Sequence, residues 1–269
     1  MRPSRLISLA AALVLTGAAA LAQAPARVVS LNVCTDQLAM LLAAPGQIAA
    51  VSKLSRDPRT SSMAEAARDY PVTGGAAEAV VLLEPDLVLA GRWTTRATVQ
   101  MLERLGYWVE TFDPATSLAD ARANIERMGA LLGREDRAAE VIARFDARLA
   151  ALRETPEARP RAVLYQPHGA TAGPGSLADD ILASAGIENI GGGTFAMEEL
   201  VLAEPDLILV GEPYGGHARA TEYRRHPALR ATGALREVPD GADWVCETPH
   251  LLDAVATMRA LRRDWEAAR

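Results

Sequence analysis

Apolar residues follow two rhythms along this chain. Short runs rich in β-branched and aliphatic side chains occur at Arg27 to Leu31, Ile48 to Val51, Leu87 to Ala90, Tyr107 to Thr111, Ala162 to Tyr165 and Leu207 to Val210. Their length and composition predict buried strands. Helical signals lie between them. Thr35 to Ala43 reads as a helix, Thr94 can cap another running to about Arg104, and Ser176 a third running to about Ala185. Thr248 with Pro249 opens a last one. Strands alternating with helices predict an α/β fold with parallel-rich sheets covered on both faces.

One segment occurs twice. Residues 79–91 (AVVLLEPDLVLAG) return at 199–211 (ELVLAEPDLILVG), offset by 120 positions with 8 of 13 identical. In each copy a helix should stop near Glu84 or Glu204. The next residue is a proline, which lacks an amide hydrogen and restricts its predecessor. Asp86 or Asp206 then leads into a strand closed by Gly91 or Gly211. Between the copies, Ser117 can cap a helix with Leu118, Ala121, Ile125, Met128 and Leu132 on one face. After a weak interruption at Gly133, Ala138, Ile142, Phe145, Leu149 and Leu152 continue the spacing. This predicts one long helix, or two nearly collinear ones, over residues 117–153, with an N-terminal lobe at 25–116 and a C-terminal lobe at 154–269. Two such lobes create a groove where their strand ends face each other.

At the N-terminus, Arg2 and Arg5 precede a nearly all-apolar stretch from Leu6 to Ala22, and Ala22-Gln23-Ala24 fits a cleavage site. Residues 1–24 therefore read as a signal peptide, with a membrane anchor as the alternative. Without them the formal charge becomes −8, which disfavours an electrostatic grip on nucleic acid. Apolar residues make up 49% of the chain, ample for real cores, but aromatics only 4%, so each of the four tryptophans draws attention. Cys34 and Cys246 are the only cysteines. Export would permit them to pair, and their spacing leaves the question open. No zincin motif or phosphate-cradling P-loop is present.

Residues 27–32 (RVVSLN), both Glu-Pro-Asp-Leu segments and the intervening helix together resemble the class III substrate-binding proteins of ABC importers. The likeness extends over about residues 26–265, with further matches at 55–57 (SRD), 171–176 (TAGPGS) and 244–247 (WVCE). It implies two Rossmann-like lobes joined by a long backbone helix, with the ligand cleft between the lobes. It also implies a periplasmic, monomeric protein with no intrinsic cofactor, which hands a metal chelate to an inner-membrane permease dimer. Carried onto this chain, the ligand contacts would be Asn32, Cys34, Ser55, Arg56, Trp93, His168, Tyr214, Trp244 and Glu247. Trp93 and Trp244 offer flat apolar cover for a macrocycle edge, and Arg56 a planar donor fork for a carboxylate or phosphate. His168 is the candidate metal-side ligand, with an ordinary hydrogen-bonding loop role as its alternative. Asn32 stands where carriers of bare metal ions have a histidine, which favours an intact chelate. Glu78 and Glu198, matched at the repeat offset, would dock on the permease; Glu199 is an adjacent competitor.

The resulting expectation is a solute-binding protein for cobalamin or another corrinoid, ahead of a ferric siderophore or haem. A secreted enzyme with Cys34 as nucleophile and His168 as base is the remaining alternative.

Overall fold

A computed structural model describes residues 24–212, 219–239 and 241–269. The signal-peptide reading and Tyr214 thus lie outside the described residues, apart from Ala24.

Lobe one comprises β1 (Val28–Ser30), α1 (Val33–Leu42), β2 (Ile48–Ser52), β3 (Val72–Thr73), α2 (Ala77–Val81), β4 (Leu87–Gly91), α3 (Arg96–Arg104) and β5 (Val109–Phe112). Its strands form one parallel sheet in the order β3-β2-β1-β4-β5. After α4 (Leu118–Leu132) and α5 (Glu135–Leu152), lobe two runs through β6 (Arg161–Leu164), β7 (Ala170–Thr171), α6 (Leu177–Ser184), β8 (Glu188–Asn189), β9 (Gly193–Thr194) and α7 (Met197–Leu202). It ends with β10 (Leu207–Gly211), α8 (Pro227–Ala231), β11 (Leu235–Val238) and α9 (Leu251–Ala267). Its main sheet is parallel in the order β11-β10-β6-β8, and β7 and β9 pair as a separate antiparallel ribbon.

The repeated segment does the same work in both lobes. β4 and β10 are central strands, buried on both faces, which explains their continuous apolar runs. Asp86 accepts hydrogen bonds from the amides of Ala26 (2.7 Å) and Arg27 (2.9 Å), and Asp206 from that of Arg161 (2.8 Å). Each aspartate thus pins the entry of its lobe's neighbouring strand, β1 or β6. Glu84 and Glu204 take left-handed conformations, with φ of 46° and 44°. The proline after each disfavours the right-handed helical region, and α2 and α7 end just before.

Residues 117–153 depart from the expected collinear rod. Ser117 caps α4 by accepting from the Asp120 amide, but Gly133 adopts a left-handed conformation (φ 63°) and turns the chain back. α4 and α5 form an antiparallel hairpin, with Gly129 against Ala138 and Arg122 paired with Asp146 at 3.2 Å. Both helices span the lobes. Ile125, Met128, Leu132, Ala138 and Ile142 belong to the core of lobe one, whereas Leu118, Ala121, Phe145 and Leu149 belong to that of lobe two. The long interlobe helix is α5, and α4 braces it. No helix among the described residues is long and apolar enough to cross a membrane.

Candidate ligand pocket between the lobes

In lobe one, strand order reverses between β1 and β4, the position where α/β sheets open a crevice beyond their strand ends. Asn32, Val33 and Cys34 follow β1, Gly91, Arg92 and Trp93 close β4, and Phe112 and Pro114 end β5. With Val245 and Glu247 from lobe two they enclose about 220 Å³. A larger surface cavity of about 690 Å³ lies near the C-terminal end of α9. Its Glu154 is held by Arg259, Arg262 and Arg263, and lobe one contributes nothing to it. The interlobe pocket is therefore the candidate site, despite its smaller volume.

Local chemistry shapes its walls. The Asn32 side chain caps α1 by accepting from the Cys34 amide (2.9 Å). It lies so close to β4 that a Cβ on residue 91 would fall 2.6 Å from it, which explains the glycine. The Gly91 amide donates to Thr94 Oγ1 at 3.0 Å, so Thr94 tightens the turn, and α3 begins only at Arg96. That turn leaves Trp93 79% exposed at the pocket rim. Arg92 pairs with Asp113 at 3.0 Å.

Two links join the walls across the lobes. Cys34 and Cys246 form a disulfide, with Cα atoms 4.9 Å apart. Beside it, Asn124 of α4 donates to Glu247 at 3.4 Å. Glu247 is only 2% exposed, and burial pushes its carboxyl up to about 7 against the hydrogen bonds it accepts. Further along the interface, Ser62 donates to Asp243 at 2.6 Å.

Asn32, Cys34, Trp93 and Glu247 thus meet in one pocket, and the other expected contacts part from it. Ser55 is fully buried, donating to the Ser52 carbonyl at 2.6 Å within a tight turn. The Arg56 guanidinium is committed to the carbonyls of Ala67, Arg68 and Tyr70. Trp244 packs against the core of lobe two; the exposed neighbour that reaches the pocket is Val245. His168 is exposed in a left-handed turn (φ 62°), away from the pocket lining. The disulfide removes the thiolate that the enzyme alternative required of Cys34. Asn124, Phe112 and Pro114 were missed. Asn124 sits on the polar side of an amphipathic helix, where sequence gives no hint of a partner in the other lobe.

Among the described residues, one trio of metal-ligating side chains brings donor atoms within 4.8 Å of one another: Asp243, His250 and Asp253. Asp253 is paired with Arg148 (2.6 Å) and His250 (3.4 Å), and Asp243 with Ser62, so these groups already have partners. Glu78 and Glu198 are both exposed at the second residue of α2 and α7. Glu199 instead accepts from the Ala196 amide at 2.8 Å and caps its own helix.

Comparison with known proteins agrees with this architecture. A cobalamin-binding protein of Halobacterium salinarum is 30% identical over 199 residues, covering 70% of this chain. The match spans only 54% of that relative's length. The periplasmic heme binding protein of Pseudomonas aeruginosa superposes with a TM-score of 0.69 at 22% identity, covering 88% of this chain and 92% of that one. The periplasmic vitamin B12 binding protein of Vibrio cholerae superposes at 0.67 and 19% identity, covering 90% and 98%. The family model described as periplasmic binding protein matches residues 28–238, and with its two facing lobes this chain belongs to that family, in the class III form.

Proposed function

We propose that the chain is the periplasmic solute-binding component of an ABC importer and that it captures cobalamin or another corrinoid for delivery to a permease dimer. The observation that carries this reading is a pocket walled by both lobes with a nearly bare indole at its rim. An enclosed volume of 220 Å³ is below the usual range of small-molecule sites, so a macrocycle would be gripped by one edge. Trp93 would then cover a face of it.

The polar groups support a corrinoid over haem. Arg56 is engaged by backbone carbonyls and offers no unpaired fork to a haem propionate, and Arg92 is shared with Asp113 through its Nη1. A Glu247 carboxyl raised to about 7 by burial, beside Asn124, instead suits the amide-bearing edge of a corrin, because it can donate as well as accept near neutral pH. Haem and a ferric siderophore are the competing cargoes. The sequence ranks the siderophore ahead of haem, and the similar superposition of a heme binding protein and a vitamin B12 binding protein moves haem ahead of it. Glu78 and Glu198, one per lobe, would steer docking on the permease.

Titrating the purified chain with cobinamide, cobalamin, haemin and a ferric hydroxamate, followed by native mass spectrometry, tests the reading. Stoichiometric corrinoid binding is expected. Binding of haemin alone would replace the cargo, and binding of none would end the importer reading.

A further inference from the structure

Glu78 and Glu198 are not the only surface feature that the repeat duplicates. Leu82 is 83% exposed and Leu202 81%, the highest values among the large apolar side chains described as exposed, and they occupy equivalent positions 120 residues apart. Each stands at the C-terminal end of its short helix, four residues after the matched glutamate. The left-handed Glu84 and Glu204 follow both helices at equivalent positions, so the repeat duplicates the local geometry along with the residue type, although α7 runs one residue further than α2. In lobe one the leucine borders an apolar groove of about 400 Å³ formed with Val81, Met101 and Leu105.

Resting on the importer reading, we propose that Leu82 and Leu202 are paired docking knobs, each seating in an apolar socket on one of two like permease subunits. The surrounding charge selects this occupant. Glu78 and Glu84 flank one knob, Glu198 and Glu204 the other, and all four are exposed. With one arginine beside each knob, Arg27 on the Leu83 carbonyl and Arg161 on that of Ala203, each patch stays net acidic. A second copy of the chain would bring like charge against like charge, and an anionic lipid surface would be repelled in the same way. A partner with basic groups around an apolar socket fits, and two equivalent knobs on pseudo-symmetric lobes call for that socket twice. The glutamates set encounter and orientation, while the leucines supply the desolvated contact that slows dissociation.

The test replaces the chromosomal gene in the native host with L82D, L202D and the double variant, and follows uptake of labelled cobalamin, haemin and a ferric hydroxamate. Neither leucine lines the ligand pocket, so the purified variants should keep the parent's chelate affinity and melting temperature. Each single variant is expected to lower uptake about tenfold, and the double variant to abolish it. Unchanged uptake by the double variant, where deletion of the gene abolishes uptake, overturns the knobs and leaves the importer reading intact. If deletion changes no uptake and the purified chain binds no chelate, the importer reading fails and the knobs with it. A parent protein that dimerises in mass photometry, and becomes monomeric as L82D/L202D, would assign the surface to self-association instead.

Discussion

Breaking the Cys34–Cys246 bridge should destabilise the whole molecule and uncouple its lobes. The two cysteines are 212 residues apart in sequence. With a loop of that length, the chain-entropy relation gives about 18 cal/mol/K, or about 5 kcal/mol at room temperature, as the ideal gain from cross-linking the unfolded chain. For a protein of this size, that corresponds to a melting temperature lower by about 10 °C. The bridge also ties the start of α1 to the loop before α9, across the pocket. Each lobe keeps its own buried clusters without it. Calorimetry of the oxidised parent, the reduced parent and C34S/C246S should therefore show a lower transition in the last two, broadened or split as the lobes melt separately. Intact mass under non-reducing conditions verifies the bridge by its loss of two hydrogens. Equal melting of oxidised and reduced protein, with the bridge verified, would refute the view that it constrains the unfolded chain and couples the lobes.

Further predictions separate the pocket from its surroundings. If a corrin covers 80 to 100 Å² of the Trp93 indole, W93A should weaken binding by about 2 kcal/mol, roughly 30-fold by titration calorimetry. W244A should instead lower stability by about 2 kcal/mol with little effect on affinity, because Trp244 packs on the core of lobe two. The Glu247 carboxyl has a folded value of about 7, above its ordinary 4.5, so the native state holds this proton more tightly than the unfolded state. Its contribution is complete below pH 4.5 and is lost as pH rises through about 7. E247Q should remove up to about 3 kcal/mol of that slope in denaturant titrations from pH 4.5 to 7. Asp36, fully buried in α1 and raised by that burial to about 6, leaves a smaller slope of the same sign between pH 3.8 and 6. An unchanged pH profile in E247Q would contradict the buried assignment. Gly129→Val would force α4 away from Ala138 and should cost about 1 to 3 kcal/mol by denaturant titration; collinear helices would tolerate it.

Local physics made much of this protein legible from its sequence. Proline punctuation gives away the duplicated strand of each lobe, because its backbone restrictions act on adjacent residues, whereas the hydrogen bonds that Asp86 and Asp206 accept at the neighbouring strand reach across 45 to 60 residues. Ser117 and Ser176 cap their helices as their sequence positions predict, accepting from Asp120 and Asp179 amides. Which face of a loop looks inward is a different kind of question. Trp244 turns to the core of its own lobe and Val245 to the pocket, an orientation that depends on how the whole loop packs and not on either residue's chemistry alone. Likewise, an amphipathic stripe running through residues 117–153 reads the same whether the helix continues or folds back. Gly133 decided it by taking a left-handed conformation that satisfies the end of α4, with the returning helix then buried against both lobes. The pairing of Cys34 with Cys246, and of Asn124 with Glu247, spans 212 and 123 residues. Contacts at that range exist only once both lobes have folded and met, so tertiary structure alone determines them.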